Sequence, residues 1–196
     1  MISFNNLAAI IILSNLFLLP LPADAGEPTA QLSGSINEFV TILTHTPVAE
    51  LRAKGLPARA LEIVYGRFDF SEMTKRSLGR HWDALTQPEQ REFVGAFTQK
   101  LLTAYGRTVR ATTDEQIQFN RETLDGDYAV VETKVIGSGE PLPIDYNLRS
   151  VHGQWKVYDM VIDQVSLVNN YRAQFDRVIA RSSIKELLAR MKQQNS

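Results

Sequence analysis

The sequence predicts an α+β fold, and three observations support that prediction. Residues 1–25 apart, apolar residues recur at helical spacing through the first half of the chain. The period then shortens to two over several segments separated by turn residues, and it lengthens again near the C-terminus. Helices, an antiparallel meander of about four strands and closing helices form one predicted domain, residues 26–196.

Helices account for the first half of this domain. In QLSGSINEFVTIL, Leu32, Ile36, Phe39 and Leu43 lie on one helical face. The segments PVAELRAKG and PARALEIVYGRF predict two shorter helices, because proline and glycine mark their boundaries.

Two capping boxes predict where the next helices begin. Asp69 is followed three residues later by Glu72, and Thr86 is followed in the same way by Glu89. The second box opens the longest predicted helix, TQPEQREFVGAFTQKLLTAYGRTV. Its apolar stripe consists of Phe93, Phe97, Leu101, Ala104 and Tyr105.

The strands follow in the second half. EQIQFNRET is a weak first strand, and LDGD supplies the turn into YAVVETKVI. IDYNLRSV alternates cleanly, with Ile144, Tyr146 and Leu148 on one face. After the fourth strand, SLVNNYRAQFDRVIARSSIKELLARMKQQ predicts one or two closing helices.

The fourth strand, WKVYDMVI, is largely apolar on both faces. Strict alternation assigns Trp155, Val157, Asp159 and Val161 to one face, and Lys156, Tyr158, Met160 and Ile162 to the other. An antiparallel strand at the protein surface needs only one apolar face. The second face therefore requires either another layer of helix or an apolar ligand, and the residues alone leave both open.

Residues 1–25 are expected to form a secretory signal. The apolar run from Leu7 to Pro22 carries no charge, and Ala23, Asp24 and Ala25 fit the small-residue cleavage pattern. We expect cleavage after Ala25 and export from the cytoplasm. The alternative is an uncleaved N-terminal anchor, because no Lys or Arg precedes the apolar run.

Composition argues against several functional classes. The 21 Lys and Arg residues balance 22 Asp and Glu, which leaves no basic excess for nucleic acid. The absence of cysteine excludes a thiol nucleophile and a cysteine zinc site. His45, His81 and His152 share no metal-ligand spacing, so structural or surface roles are expected for them. The sequence also lacks a G-x-S-x-G nucleophile motif and a glycine-rich phosphate loop.

Asp159 is the one candidate for acid–base chemistry. A carboxylate among apolar side chains has a raised pKa, because burial disfavours its charged form. It could act as the general base of an exported isomerase or hydrolase. The competing interpretation is that Asp159 pairs with an arginine, such as Arg149 or Arg172, or lies at an exposed rim. One acid without a partner base or an oxyanion donor is weak evidence for a catalytic site.

Three segments together resemble the MlaC family, also called toluene-tolerance proteins. They are FDFSEMTKRSLGRHWDALTQPEQREFVGAFTQKLLTAYG, GEPLPIDYNLR and WKVYDMVIDQVSLVNNYRAQF, which occur in the family's order and spacing. The resemblance runs from about residue 68 to residue 176. One departure is the rather polar first strand, TTDEQIQFNRE.

This resemblance implies a periplasmic phospholipid carrier with a curved, NTF2-like sheet wrapped by helices around an apolar cavity. The cavity would hold acyl chains while the headgroup stays near the surface. The implied partners are an outer-membrane lipoprotein–porin complex and an inner-membrane ABC transporter with an MCE-domain protein. The implied role is maintenance of outer-membrane lipid asymmetry, with no catalytic residue, metal or cofactor. An isomerase or hydrolase, and a scaffold with no ligand, are the alternatives.

The residues expected to line this cavity come from three strands and two helices. Met160 is attractive because its thioether adapts to varied chains, and Arg172 is expected to contact phosphate at the rim. The full predicted set is Phe97, Leu101, Tyr105, Val130, Val131, Tyr146, Leu148, Tyr158, Met160, Ile162, Val168, Tyr171 and Arg172.

Overall fold

The computed structural model describes residues 26–106, 116–137 and 139–194, so the expected signal segment lies outside the described residues. The described helices are α1 Glu27–Thr44, α2 Val48–Lys54, α3 Ala58–Arg67, α4 Phe70–Leu78, a 3₁₀ turn Gly79–His81, α5 Gln87–Gly106, α6 Leu167–Arg181 and α7 Ile184–Gln194. The described strands are β1 Gln116–Asp125, β2 Tyr128–Ile136, β3 Leu142–Val151, β4 Gln154–Ile162 and β5 Val165–Ser166. The predicted α+β class is confirmed.

Both predicted capping boxes lie at helix starts, and one backbone hydrogen bond of the capping-box motif is found at each. Asp69 Oδ1 accepts a hydrogen bond from the backbone N–H of Glu72 at 2.9 Å, which caps α4. At α5 the other half forms, because Glu89 Oε2 accepts from the backbone N–H of Thr86 at 2.8 Å. The Asp69 N–H donates to the Val157 carbonyl at 2.8 Å, which ties the start of α4 to β4.

The strands form one antiparallel meander in the order β1-β2-β3-β4-β5. Val131, Tyr146 and Met160 lie directly opposite one another on β2, β3 and β4, so they share one face. We call this the inner face. Leu32 of α1 packs on it, and the partly buried Ile36 adds a second contact from the same helix. The opposite, outer face carries Asn147 and Asp159 as cross-strand partners.

A second apolar core lies among the helices. Residues of α4, α5, α6 and α7 form one buried cluster, which includes Met73, Phe93, Phe97 and Phe175. Phe68, between α3 and α4, packs against both this helical core and the inner-face cluster. The two cores are therefore separate groups of side chains joined at one aromatic residue.

Helices α4 and α6 both contact β4. On the outer face of the sheet, Arg149 of the neighbouring strand β3 reaches Asp69 at the start of α4, and Asp159 of β4 reaches the start of α6. Because α1 lies against the inner face, β4 has helix on both sides. The sequence left open whether a helix or an apolar ligand covers the second face of this strand. The structure places helix against both faces of β4.

Candidate functional site

A bulge in β4 determines which side chains reach the inner face. Val157 lies opposite Leu148, but Asp159 lies opposite Asn147, so Tyr158 is the extra residue. An extra residue reverses the alternation beyond it. The face assignment from strict alternation is therefore wrong for the second half of the strand. Trp155 and Val157 share the inner face with Met160 and Ile162, and the inner face of β4 is apolar throughout.

The inner face combines a buried part with a partly exposed part. Val131 and Leu148 are fully buried, and Tyr146 is 7% exposed. Burial raises the pKa of the Tyr146 hydroxyl to about 12, because the apolar surroundings disfavour the phenolate. The partly buried apolar side chains on the same cluster are Ile36, Phe68, Ile117, Phe119, Leu142, Met160 and Ile162. The strand members of this group, Ile117, Phe119, Leu142, Met160 and Ile162, form a partly exposed apolar row that the described helices leave incompletely covered.

Five of the predicted cavity residues lie on this inner face. They are Val131, Tyr146, Leu148, Met160 and Ile162. The structure also adds Ile117, Phe119 and Leu142, which the predicted set omitted. Their signal was present in the sequence, since Ile117 and Phe119 alternate in the first strand and Leu142 continues the alternation of Ile144 and Tyr146.

The predicted helical residues lie elsewhere, in the helical core. Phe97 makes edge-on contacts with Tyr171 and Phe175, with ring centroids 4.9 Å and 5.3 Å apart. Leu101 and Val168 belong to the same buried cluster. These helical residues and the strand residues of the predicted set therefore belong to two different buried clusters. The side chain of Tyr105 lies outside the described residues.

Val130 and Tyr158 lie away from the inner face. Val130 is opposite Asn147 on the outer face, one residue out of phase with Val131. The guanidinium carbon of Arg76 lies 4.2 Å from the centroid of the Tyr158 ring, and the Tyr128 ring packs edge-on at 5.9 Å. Burial raises the pKa of the Tyr158 hydroxyl, and the nearby Arg76 charge opposes that rise.

Asp159 has structural partners at the start of α6. Its carboxylate accepts from the Ser166 hydroxyl at 2.6 Å and from the Val168 backbone N–H at 3.0 Å. Ser166 in turn caps α6 by accepting from the Asn169 N–H at 3.0 Å. Asp159 is 7% exposed, and the positive end of the helix favours its charge. These contacts favour the structural interpretation of Asp159, with Ser166 and Val168 as its partners in place of the suggested arginines.

The two arginines proposed as partners of Asp159 bind other groups. Arg149 pairs with Asp69 at 2.6 Å. Arg172 Nε donates to the backbone carbonyl of Arg76 at 2.7 Å, near the C-terminal end of α4. A Cβ at Gly79, where φ is +52°, would lie 3.4 Å from Arg172 Nε, so the glycine leaves space for this side chain. Arg172 is half-buried and holds two helices together.

The remaining polar features do not form a metal or catalytic cluster in the described ranges. His81 Nε2 lies 2.9 Å from Asp176, and His45 Nδ1 lies 2.7 Å from the Thr41 carbonyl. Within residues 26–106, 116–137 and 139–194, no three His, Asp or Glu side chains are grouped to hold a metal ion. None of the described helices is both long enough and apolar enough to span a bilayer.

One surface pocket of about 360 Å³ lies beside the N-terminal half of α5. Its lining shares no residue with the inner-face cluster. Its lining side chains are Ser71, Trp82, Gln87, Gln90, Arg91 and Val94.

Comparison with known proteins identifies similar sequences and folds. A family profile described as "MlaC protein" matches residues 35–193. A toluene tolerance protein of Pseudomonas putida is 29% identical over 98 residues, which are 48% of this chain and 46% of that protein. The match thus spans about half the length of this curated relative. A phospholipid-binding protein from Ralstonia solanacearum, solved in complex with a phospholipid, has a TM-score of 0.74 at 24% identity and covers 87% of this chain and 97% of that one.

Proposed function

Because this chain belongs to the MlaC family, we propose that it is a phospholipid carrier that holds acyl chains against its inner face. The observation that carries this proposal is the partly exposed apolar row of the inner face, which includes Ile117, Leu142 and Met160. An apolar surface that a protein leaves incompletely covered is typical of a binding site. The Ralstonia protein with the same fold, which was solved with a phospholipid, supports the choice of ligand.

The energy of exposing lipid to water explains why a carrier needs such a surface. Each buried methylene is worth about 0.8 kcal/mol. Two acyl chains contain on the order of 30 methylenes, so their transfer into water would cost roughly 20 kcal/mol. The carrier must therefore enclose most of the tail surface, whereas the headgroup can remain in water.

We assign the lining to the inner-face residues of the predicted set and to three additions. Val131, Tyr146, Leu148, Met160 and Ile162 form the strand wall, together with Ile117, Phe119 and Leu142. Phe97, Leu101, Val168 and Tyr171 act through the helical core that supports the sheet. Val130, Tyr158 and Arg172 act outside the lining, since their contacts lie at the outer face and between helices.

The wider role follows from the family resemblance. The mature chain, residues 26–196, would work in the periplasm after loss of its signal segment. It would shuttle phospholipid between the outer-membrane lipoprotein–porin complex and the inner-membrane ABC transporter with its MCE-domain protein, and so maintain lipid asymmetry. A binding role is favoured over catalysis, because the buried Asp159 bonds the Ser166 hydroxyl that caps α6 and the Val168 N–H in the first turn of that helix.

Native mass spectrometry of the exported protein, purified without added lipid, tests the proposal. The expected spectrum contains a species heavier than the polypeptide by the mass of a phospholipid, and organic extraction releases that lipid. A folded protein that carries no lipid, and that takes up none from phospholipid vesicles, would overturn the proposal. Turnover of a small substrate that Asp159→Asn abolishes would favour the enzyme instead.

A further inference from the structure

The start of α1 lies against a carboxylate from β1. Glu122 Oε2 accepts hydrogen bonds from the Thr29 backbone N–H at 2.8 Å and from the Thr29 hydroxyl at 2.5 Å. A Cβ added at Gly26 would lie 2.0 Å from Glu122 Oε1, so only a hydrogen atom fits on that side of the backbone. The carboxylate therefore reaches past the first turn of the helix to the residue that precedes it.

The same geometry brings the Gly26 nitrogen close to Glu122. The nitrogen and Cβ of one residue are about 2.5 Å apart, because both are bonded to the same Cα. Since the Cβ position is 2.0 Å from Glu122 Oε1, the nitrogen lies within about 4.5 Å of that oxygen. This distance is within the range in which an ammonium and a carboxylate attract each other strongly.

Gly26 is also the residue that follows the expected cleavage site. We propose that Glu122 receives the amino terminus created when the signal segment is removed. A signal-peptidase-type protease and one water molecule hydrolyse the bond between Ala25 and Gly26. The leader leaves with a carboxylate on Ala25, and Gly26 gains an ammonium that pairs with Glu122.

The position of the new charge explains why a carboxylate is needed there. Gly26 is the N-cap of α1, and its carbonyl accepts from the Ala30 N–H at 3.0 Å. The N-terminal end of a helix carries partial positive charge, so an added ammonium would repel it. Glu122 stabilises both positive groups at once. Glu27 lies nearby on α1, but its carboxylate accepts from Gln31 at 2.9 Å, one turn further along the helix.

The pair has a consequence for the inner face. Helix α1 places Leu32 on the sheet, and Glu122 is the side chain that bonds β1 to the first turn of that helix. Removal of the leader would therefore tighten the attachment of α1 to the sheet. The exported form would hold this wall more firmly than the precursor. This inference concerns the attachment of α1 and does not depend on which ligand the inner face binds.

Four purified proteins test the pairing by a double comparison. One chain begins at Gly26, released from a fusion by a protease that leaves no extra residue, and a second chain begins one residue earlier, at Ala25. Each is made with and without Glu122→Gln, which removes the charge but keeps an acceptor for Thr29. Hydrogen exchange of the α1 backbone amides is the measurement. We expect Glu122→Gln to accelerate α1 exchange in both chains. The acceleration should be about fivefold greater in the chain that begins at Gly26 than in the chain that begins at Ala25.

Two further variants sharpen the comparison. Glu27→Gln removes the same charge beside Gly26 and should accelerate α1 exchange to a similar extent in both chains. Gly26→Ala keeps both charges but forces the carboxylate away, so it should reproduce the effect of Glu122→Gln in the chain that starts at residue 26. Equal acceleration by Glu122→Gln in the two chains, or an exported protein whose measured mass shows a first residue other than Gly26, would overturn the inference.

Discussion

The substitution Asp159→Asn distinguishes a structural carboxylate from a catalytic one. In the native protein this side chain accepts two hydrogen bonds, from the Ser166 hydroxyl and from the Val168 N–H. Both donors need an acceptor, and asparagine supplies one oxygen in place of two. One hydrogen bond is therefore lost, and the acceptor of the other changes from a charged carboxylate to a neutral amide oxygen.

The expected loss of stability follows from these two bonds. A hydrogen bond to a charged group contributes about 1.5–3 kcal/mol, and a neutral one about 1 kcal/mol. The charge also stabilises the N-terminal end of α6 by about 0.3–1 kcal/mol. The free energy of unfolding should fall by roughly 3 kcal/mol, which lowers Tm by about 6–12 °C in a domain of this size.

Thermal unfolding followed by circular dichroism measures this change, and Asp163→Asn is the matched control. Asp163 is exposed in the turn between β4 and β5, where φ is +47°, a conformation that asparagine tolerates well. The control should change Tm by about 1 °C or less. Unfolding of Asp159→Asn at the wild-type temperature would refute the structural account of this residue. Lipid occupancy should be unchanged in the folded Asp159→Asn protein.

Three more outcomes follow from the structure. Met160→Lys should remove most co-purified phospholipid because it places a charge on the inner face, whereas Val130→Lys on the outer face should leave occupancy unchanged; equal losses in native mass spectra would contradict the face assignment. Burial raises the pKa of Tyr146 to about 12. In the unfolded state this phenol ionises near pH 10, so the free energy of unfolding should keep its full contribution from Tyr146 below about pH 10 and decrease toward pH 12. Tyr146→Phe should make this decrease smaller in urea titrations at alkaline pH. Asp69→Ala removes the cap of α4 and the 2.6 Å partner of Arg149, and it leaves Arg149 with its longer contact to Glu72 at 3.7 Å. Urea unfolding should therefore show a loss of about 2–3 kcal/mol; a loss below 0.5 kcal/mol would exclude a stabilising role for the Asp69–Arg149 pair.

The sequence predicted the helix starts and the strand order because those features depend on local residue types. Asp69 and Thr86 can cap a helix in any context, since the groups that they bind lie within three residues. The period-two segments likewise predicted a meander, and the structure adds the short β5. Local chemistry and periodicity were sufficient for the class of fold.

The arrangement of the candidate site depended on information that a single sequence lacks. The bulge at Tyr158 reverses the faces of β4, and counting residues in one strand cannot reveal how many lie opposite in its neighbour. Phe97 and Tyr171 are apolar, as cavity-lining residues are, but residues packed in an aromatic core are apolar too, and the sequence does not distinguish the two. The partners of Asp159 are the Ser166 hydroxyl and a backbone N–H. Every residue except proline provides a backbone N–H, so residue types alone pointed to arginine instead.

Photo-crosslinking with a phospholipid that carries a diazirine in its acyl chain locates the surface that holds the lipid tails. After loading, irradiation and proteolysis, mass spectrometry locates the labelled residues. We expect labels on the inner face of the sheet, at or next to Val131, Tyr146, Met160 and Ile162. Labels confined to the outer face, or to the pocket beside Trp82 and Arg91, would contradict this expectation.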